Sequence, residues 1–251
     1  AVARRLALGV DHTVVALFGG TGSGKSSLFN ALTQLNFADV GARRPTTSRA
    51  AACSWGDDAG PLLDFLGVSS ERRIRGDSIL DGEDQGSMSG LVLLDVPDYD
   101  SVTTEHSLQV DRLVPLADIL VWVVDPQKYA DAALLYGYLR GLGARQEDML
   151  VLVNQVDTLP ESGLASLLDD VGSLLKDDGL SQVQVLPVSA VRGDNLDVVR
   201  SMLRQRVARE SNAARTASAE LDAITRRLRP TVARKKVELD AELTEETTKV
   251  L

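Results

Sequence analysis

A chain of 251 residues suffices for one full α/β domain and an appendage, and 44% hydrophobic with 25% charged residues is an ordinary globular balance. Its 27 basic against 36 acidic residues, a formal charge of −9, disfavour a nucleic-acid-binding surface spread over the molecule, so nucleic acid is not an expected partner. The single cysteine, Cys53, excludes an intrachain disulfide and a multi-cysteine metal site, and neither a run of ~18–20 apolar residues nor a secretory signal is present, so a cytoplasmic setting is expected.

Residues 2–8 read as a short helix or arm. His12–Phe18 is a run of β-formers followed at once by GGTGSGKSS and then by SLFNALTQL at helical spacing, which is strand, glycine loop, helix. Residues 37–60 read as a loop leading to an edge element around Arg49–Trp55, and Pro61–Leu66 as a short helix. Ser69–Ser89, polar and without apolar period, reads as a mobile insertion, an extra loop over 67–89.

Leu91–Leu94 predicts a buried strand ending in Asp95, and Leu108–Leu116 a helix with Pro115 near its end. Ile119–Val124 is the next strand, Ala130–Leu142 a helix closing at Gly143, and Met149–Val153 a strand ending at Asn154. Leu164–Leu175 is an amphipathic helix, Val183–Val188 a strand, and Leu196–Arg209 a further helix. The alternation predicts a largely parallel sheet covered on both faces. Candidate chemistry falls where ligands of such sheets bind, at the carboxyl ends of the strands: Gly19 onward, Asp95, Asn154 and Ser189.

Residues 211–251 differ, carrying 8 basic and 7 acidic residues against 19 and 29 in the remainder. Leu221, Ile224, Leu228 and Val232 share one helical face, and Pro230 kinks or restarts the helix near Arg229. Arg226, Arg227, Arg229, Arg234, Lys235 and Lys236 cluster there. The stretch reads as a solvated helical arm, with a membrane- or RNA-binding patch as the alternative. Because the chain begins with Ala and stops inside a helical pattern, it reads as a piece of a longer protein, whose membrane association stays open.

Gly19, Gly20, Thr21, Gly22, Ser23, Gly24, Lys25 and Ser26 match G-x-x-x-x-G-K-[ST] completely. Glycines let successive N–H groups turn inward to cradle an anion, and the following helix adds its positive end. Lys25 is expected to reach β- and γ-phosphate oxygens, Ser26 to coordinate Mg²⁺, and Ser27 to lie near the α-phosphate. Alone, this loop does not separate ATP from GTP.

The form TGSGKSSLFNAL in Thr21–Leu32 resembles the loops of translation-factor-class GTPases, especially Era-like and dynamin-like members. The resemblance implies a Ras-like three-layer α/β domain over 1–210, with a helical arm over 211–251 as the start of a further helical region. Asp95-Val-Pro-Asp98 resembles the family's D-x-x-G, implying that Asp95 holds Mg²⁺ through a water. Asp98 stands where the family's glycine gives an N–H to the γ-phosphate. The D-x-P-D form is similar to that of actinobacterial dynamin-family GTPases. The family's water-orienting glutamine slot holds Tyr99, which implies slow intrinsic hydrolysis.

In Arg43–Arg49 the resemblance implies a switch threonine completing the Mg²⁺ shell, Thr47 first and Thr46 second, with Arg43, Arg44 or Arg49 as a candidate arginine finger. Lys25, Thr47 and Asp98 form the expected catalytic set. Asn154-Gln-Val-Asp157 resembles N-K-x-D, with Asp157 reading guanine N1–H and the 2-amino group and Gln155 replacing the lysine. Ser189-Ala190 resembles the last motif, in which the Ala190 N–H bonds guanine O6.

The implied activity is GTP hydrolysis to GDP and phosphate with Mg²⁺. A non-hydrolysing nucleotide-dependent interaction module and a membrane-remodelling dynamin-like fragment are the alternatives. A homodimer through the G domain, and a membrane or protein partner for 211–251, are the partners the resemblance admits besides guanine nucleotide. His12 and His106 read as structural or surface residues, and Trp55 and Trp122 as packing residues.

Overall fold

The computed structural model describes residues 12–35, 49–76, 88–98, 104–128, 139 and 141–209. The expected N-terminal helix, the segment holding Arg43, Arg44, Thr46 and Thr47, the Tyr99 slot, most of the expected helix over 130–142, and the arm from 211 lie outside those residues.

In chain order the elements are β1 (Thr13–Gly19), α1 (Lys25–Thr33), β2 (Ala51–Ser54), α2 (Gly60–Leu66), β3 (Arg73–Arg75), β4 (Leu91–Asp95) and α3 (Thr104–Leu113). β5 (Ile119–Val124), β6 (Met149–Val153), α4 (Glu161–Asp177) and β7 (Gln184–Pro187) follow. A last helix, α5, runs over residues 196–209. The strands form one seven-stranded sheet in the order β3-β2-β4-β1-β5-β6-β7. Every pairing is parallel except β2 with β4.

The run-like apolar strands are explained by cover on both faces. Along β1, Val14, Ala16 and Phe18 face one core while Val15 and Leu17 face the other, the two-residue period of a strand. The first core takes Leu62, Leu63 and Leu66 of α2, Val110 and Leu113 of α3, and Leu167, Val171 and Leu175 of α4. The second takes Leu28, Phe29 and Leu32 of α1, and Leu196, Val199, Leu203 and Val207 of α5. Each such buried side chain contributes ~1.5–3 kcal/mol relative to exposure. Trp122 and Trp55 are buried packing residues, as expected, and Phe18 and Trp122 lie with ring centroids 4.9 Å apart. Cys53 is buried.

Two expectations are corrected by β3. The first part of Ser69–Ser89 is not an insertion: Ser70–Arg72 form a 3₁₀ turn and Arg73–Arg75 pair with β2. β2 is therefore not an edge strand. Alternating arginines hide this strand in the sequence, yet each is anchored to main chain. Arg73 Nε donates to Val68 O at 3.0 Å and Arg75 Nη2 to Gly56 O at 2.7 Å, while Ile74 packs on the second core. Residues 77–87 lie outside the described ones. α3 starts at Thr104, earlier than expected, and stops at Leu113, short of the expected end, because the residue before Pro115 is pushed away from helical geometry. Among the described residues no helix is long and apolar enough to cross a membrane.

Register aligns the carboxyl ends of the central strands. Asp95 of β4 pairs with Leu17, Gly19 of β1 with Val123, and Val153 of β6 with both Val124 and Pro187. The residues leaving those strands thus emerge along one rim.

Candidate functional site

Beyond β1 the chain curls tightly: Ser23 N donates to Gly20 O at 3.2 Å, and Gly22 and Gly24 both take φ +83°. Gly24 is required twice over, since an L-residue rarely adopts that φ and a Cβ there collides with the Asn154 amide. Gly24 is also the residue from which α1 starts, its carbonyl accepting from Leu28 N at 2.9 Å. Among the described residues no side chain caps α1, and its first turn holds no acidic residue, so its positive end faces the loop. Thr21 and Ser27 are half-buried beside it.

Lys25 and Ser26 turn toward the end of β4. The Lys25 ammonium, 4% exposed, pairs with the Asp98 carboxylate, and also lies 3.4 Å from Gly20 O. Ser26 Oγ donates to Asp95 Oδ2 at 2.6 Å. The other Asp95 oxygen, Oδ1, is buried and has no hydrogen-bond partner among the described residues. Burial pushes the Asp95 carboxyl up to about 6, with Lys25 and the Ser26 hydroxyl pulling it down and Asp98 adding to the rise. A buried orphan carboxylate oxygen next to a hydroxyl is a hard-oxygen donor pair suited to Mg²⁺, a cation that keeps several waters and takes few protein ligands. Among the described residues no group of three or more His, Cys, Asp or Glu could enclose a metal by itself. Any cation here therefore draws the rest of its shell from water, phosphate or residues beyond the described ones.

From β6 and β7 a second group arrives. Asn154, 1% exposed, donates from Nδ2 to Ser23 O at 3.0 Å and to Gly24 O at 3.4 Å, and its Oδ1 accepts from Ala190 N at 3.2 Å. Gln155, in left-handed geometry at φ 64°, donates from Nε2 to Gly22 O at 2.7 Å. Ser189 Oγ donates to Asp157 Oδ1 at 2.6 Å and accepts from Arg192 N at 3.0 Å. Hydrogen bonds thus join the glycine loop to Asn154, Gln155 and Ala190, and Ser189 to Asp157, on one rim.

The structure therefore gathers Gly19 to Ser27, Asp95, Asp98, Asn154, Gln155, Asp157, Ser189 and Ala190 along that rim; Arg49 is exposed just ahead of β2, and Thr47 lies outside the described residues. Sequence reasoning did not anticipate that Asp98 would pair with Lys25. It also missed Lys128, in the turn after β5, whose Nζ lies 3.4 Å from Thr21 O. No motif marks that lysine; only its place just beyond a strand end singles it out. His12 sits at the surface side, with Nε2 3.4 Å from Asp57 O.

A glycine loop between a parallel strand and a helix, in a sheet of this order, defines a Ras-like P-loop α/β domain. A sequence model of the family described as 50S ribosome-binding GTPase matches residues 14–155, more than half of the chain, and the chain belongs to that GTPase family. It is a GTP-binding G-domain protein. No curated protein matches it in sequence. Among solved structures, an oligomerised bacterial dynamin pair is similar over 91% of this chain and 51% of its own, with a TM-score of 0.58 and 14% identity. Era in complex with MgGDPNP and nucleotides of 16S ribosomal RNA is similar over 76% and 56%, with a TM-score of 0.52 and 18% identity. The SsGBP–GDP complex is similar over 80% and 51%, with a TM-score of 0.51 and 21% identity. The chain spans about half the length of these structures, and at such identities the likeness is one of fold.

Proposed function

We propose that this chain binds a guanine nucleotide with Mg²⁺ across the rim and hydrolyses GTP to GDP and phosphate by in-line attack of water on the γ-phosphate. The supporting observation is the hydrogen-bonded line from Ser23 and Gly24 through Asn154 to Ala190, beside the Ser189–Asp157 pair, which joins the glycine loop to the turns after β6 and β7 on one rim. Loop N–H groups and Lys25 hold the phosphates, and Asp157 accepts from guanine N1–H and the 2-amino group. Adenine leaves that carboxylate unpaired, the source of base choice. Ser26 and Asp95, with Thr47, would hold Mg²⁺, which when bound neutralises charge on the phosphate oxygens. With Tyr99 in the slot of the water-orienting glutamine, turnover of the isolated chain is slow.

In this reading residues 1–210 are the G domain, 211–251 a helical arm, and the setting cytoplasmic. The finer kinship with D-x-P-D dynamin-family GTPases rests on the Asp95–Asp98 string alone. Titration of the chain with GTP, GDP and ATP in Mg²⁺, followed by phosphate release under excess enzyme, tests the proposal. Equal competition by ATP would defeat guanine selection. A second reading, a nucleotide-dependent module that does not hydrolyse, is favoured by the Lys25–Asp98 pair, and absence of phosphate release would establish it.

A further inference from the structure

Lys25 is the one loop residue whose charge must be answered wherever it sits, because a buried ammonium without a counterion is costly. Here the answer comes from within the chain. Asp98 is itself buried, its side chain 9% exposed, and its carboxylate pairs directly with the Lys25 Nζ. Asp95, three residues earlier, does not compete for that ammonium as a hydrogen-bond partner: its Oδ2 takes the Ser26 hydroxyl, and its Oδ1 takes no donor among the described residues. Lys25 also donates to Gly20 O at 3.4 Å, a neutral carbonyl of the loop.

We infer that Asp98 is an internal surrogate for the terminal phosphate, occupying the Lys25 ammonium so that the site favours the nucleoside diphosphate over the triphosphate. This rests on the guanine-nucleotide reading above and says which phosphate chain length the site prefers. A diphosphate placed in the cradle shares Lys25 with Asp98 and leaves the ion pair standing. A triphosphate brings a further anionic group to the same ammonium. It must either expel Asp98 from a buried pairing, leaving a carboxylate to be resolvated, or sit beside it against like-charge repulsion. A backbone N–H, which any residue provides at this position, carries no such conflict; the carboxylate is what this chain adds. Lys25 is then released to the γ-phosphate only when the Asp98 carboxylate withdraws from it.

The test compares Kd values of GDP and of the non-hydrolysable triphosphate GDPNP for the full chain in excess Mg²⁺, in wild type, Asp98→Asn and Asp98→Gly. Asn keeps the shape and removes the charge; Gly removes the side chain. The wild type is expected to hold GDP at least about tenfold more tightly than GDPNP. In both variants the affinity for GDPNP relative to GDP is expected to rise about tenfold or more. Far-UV circular dichroism and cooperative urea unfolding of both variants show independently that they are folded. If the wild type binds both nucleotides and neither variant moves their ratio, the surrogate role is overturned while the nucleotide site stands. If neither wild type nor variants bind either nucleotide, the site itself is refuted and the inference with it. Should only the variants bind GDPNP, the block by Asp98 is supported in its strongest form.

Discussion

Asp157 is presented by two constraints, the left-handed turn at Gln155 and the hydroxyl of Ser189 2.6 Å from its Oδ1, so its second oxygen and remaining lone pairs are aimed rather than free to wander. A hydrogen bond to a charged acceptor is worth about 1.5–3 kcal/mol. Asp157→Ala is therefore expected to weaken GDP about 10- to 100-fold and to leave the weak affinity for ATP in place, narrowing the gap between the bases. Competitive titration with both nucleotides measures this, and an unchanged ratio would remove Asp157 from base recognition. Asp95 makes a separate prediction, for the nucleotide-free chain. Its folded-state pKa of about 6 stands above the ordinary 3.8, because burial disfavours the charged form. The folded chain therefore holds that proton more tightly than the unfolded one. The stability this gives is complete below about pH 4 and is lost as pH rises through about 6. Asp95→Asn has no charge to bury, so its advantage in denaturant over the wild type should be absent near pH 4 and grow to a plateau above pH ~7. A difference that does not vary with pH would refute this account of Asp95.

The elements hold the site by tying α1 to the rest of the second layer. Arg200 of α5 donates from Nη2 to Ala31 O at 2.7 Å and from Nε to Leu32 O at 3.3 Å, closing carbonyls at the C-terminal end of α1 that have no intrahelical partner. Its ion pair with Asp197 adds little, since that carboxylate is 95% exposed. Arg200→Ala is expected to cost about 1–3 kcal/mol in urea unfolding, and Arg200→Lys to recover only part, because a single ammonium lacks the fork that reaches both carbonyls. Full recovery by lysine would show that charge, not bidentate geometry, matters. This contact also marks where the sequence stops being legible. The strands β5 and β6 are readable to the residue because a parallel strand buried on both faces is an unbroken apolar run, and Gly19–Ser26 is readable because a phosphate cradle admits few alternatives. β3 is not, since Arg73-Ile-Arg75 has a polar pattern whose meaning depends on carbonyls of Val68 and Gly56 that the fold brings near. Asp98 is visible as a departure from a motif, but its partner is not: the pairing joins the start of α1 to the residues just after β4, which the parallel pairing of β1 with β4 brings together.

For the molecule as a whole, the rim works because Asn154 is a crosslink between the loop after β1 and the turn after β7. Removing its side chain strands the Ser23 carbonyl in a buried setting, at about 1–3 kcal/mol, and the part-buried Ala190 N–H at less. It also frees the loop and the base-reading turn to move independently, so the nucleotide must order them itself. Both effects have the same sign in one measurement. For the wild type, GDP at a hundredfold excess over Kd should raise the unfolding free energy by about 2.7 kcal/mol, the linkage expected for a ligand bound only by the folded state. Asn154→Ala should unfold at lower denaturant without ligand and, at that same GDP concentration, should gain less than the wild type, because its Kd is higher. If the variant loses intrinsic stability yet keeps the full gain from GDP, Asn154 is a structural brace alone. If it keeps its stability but loses the gain, its contribution lies in contact with the nucleotide rather than in joining the two loops.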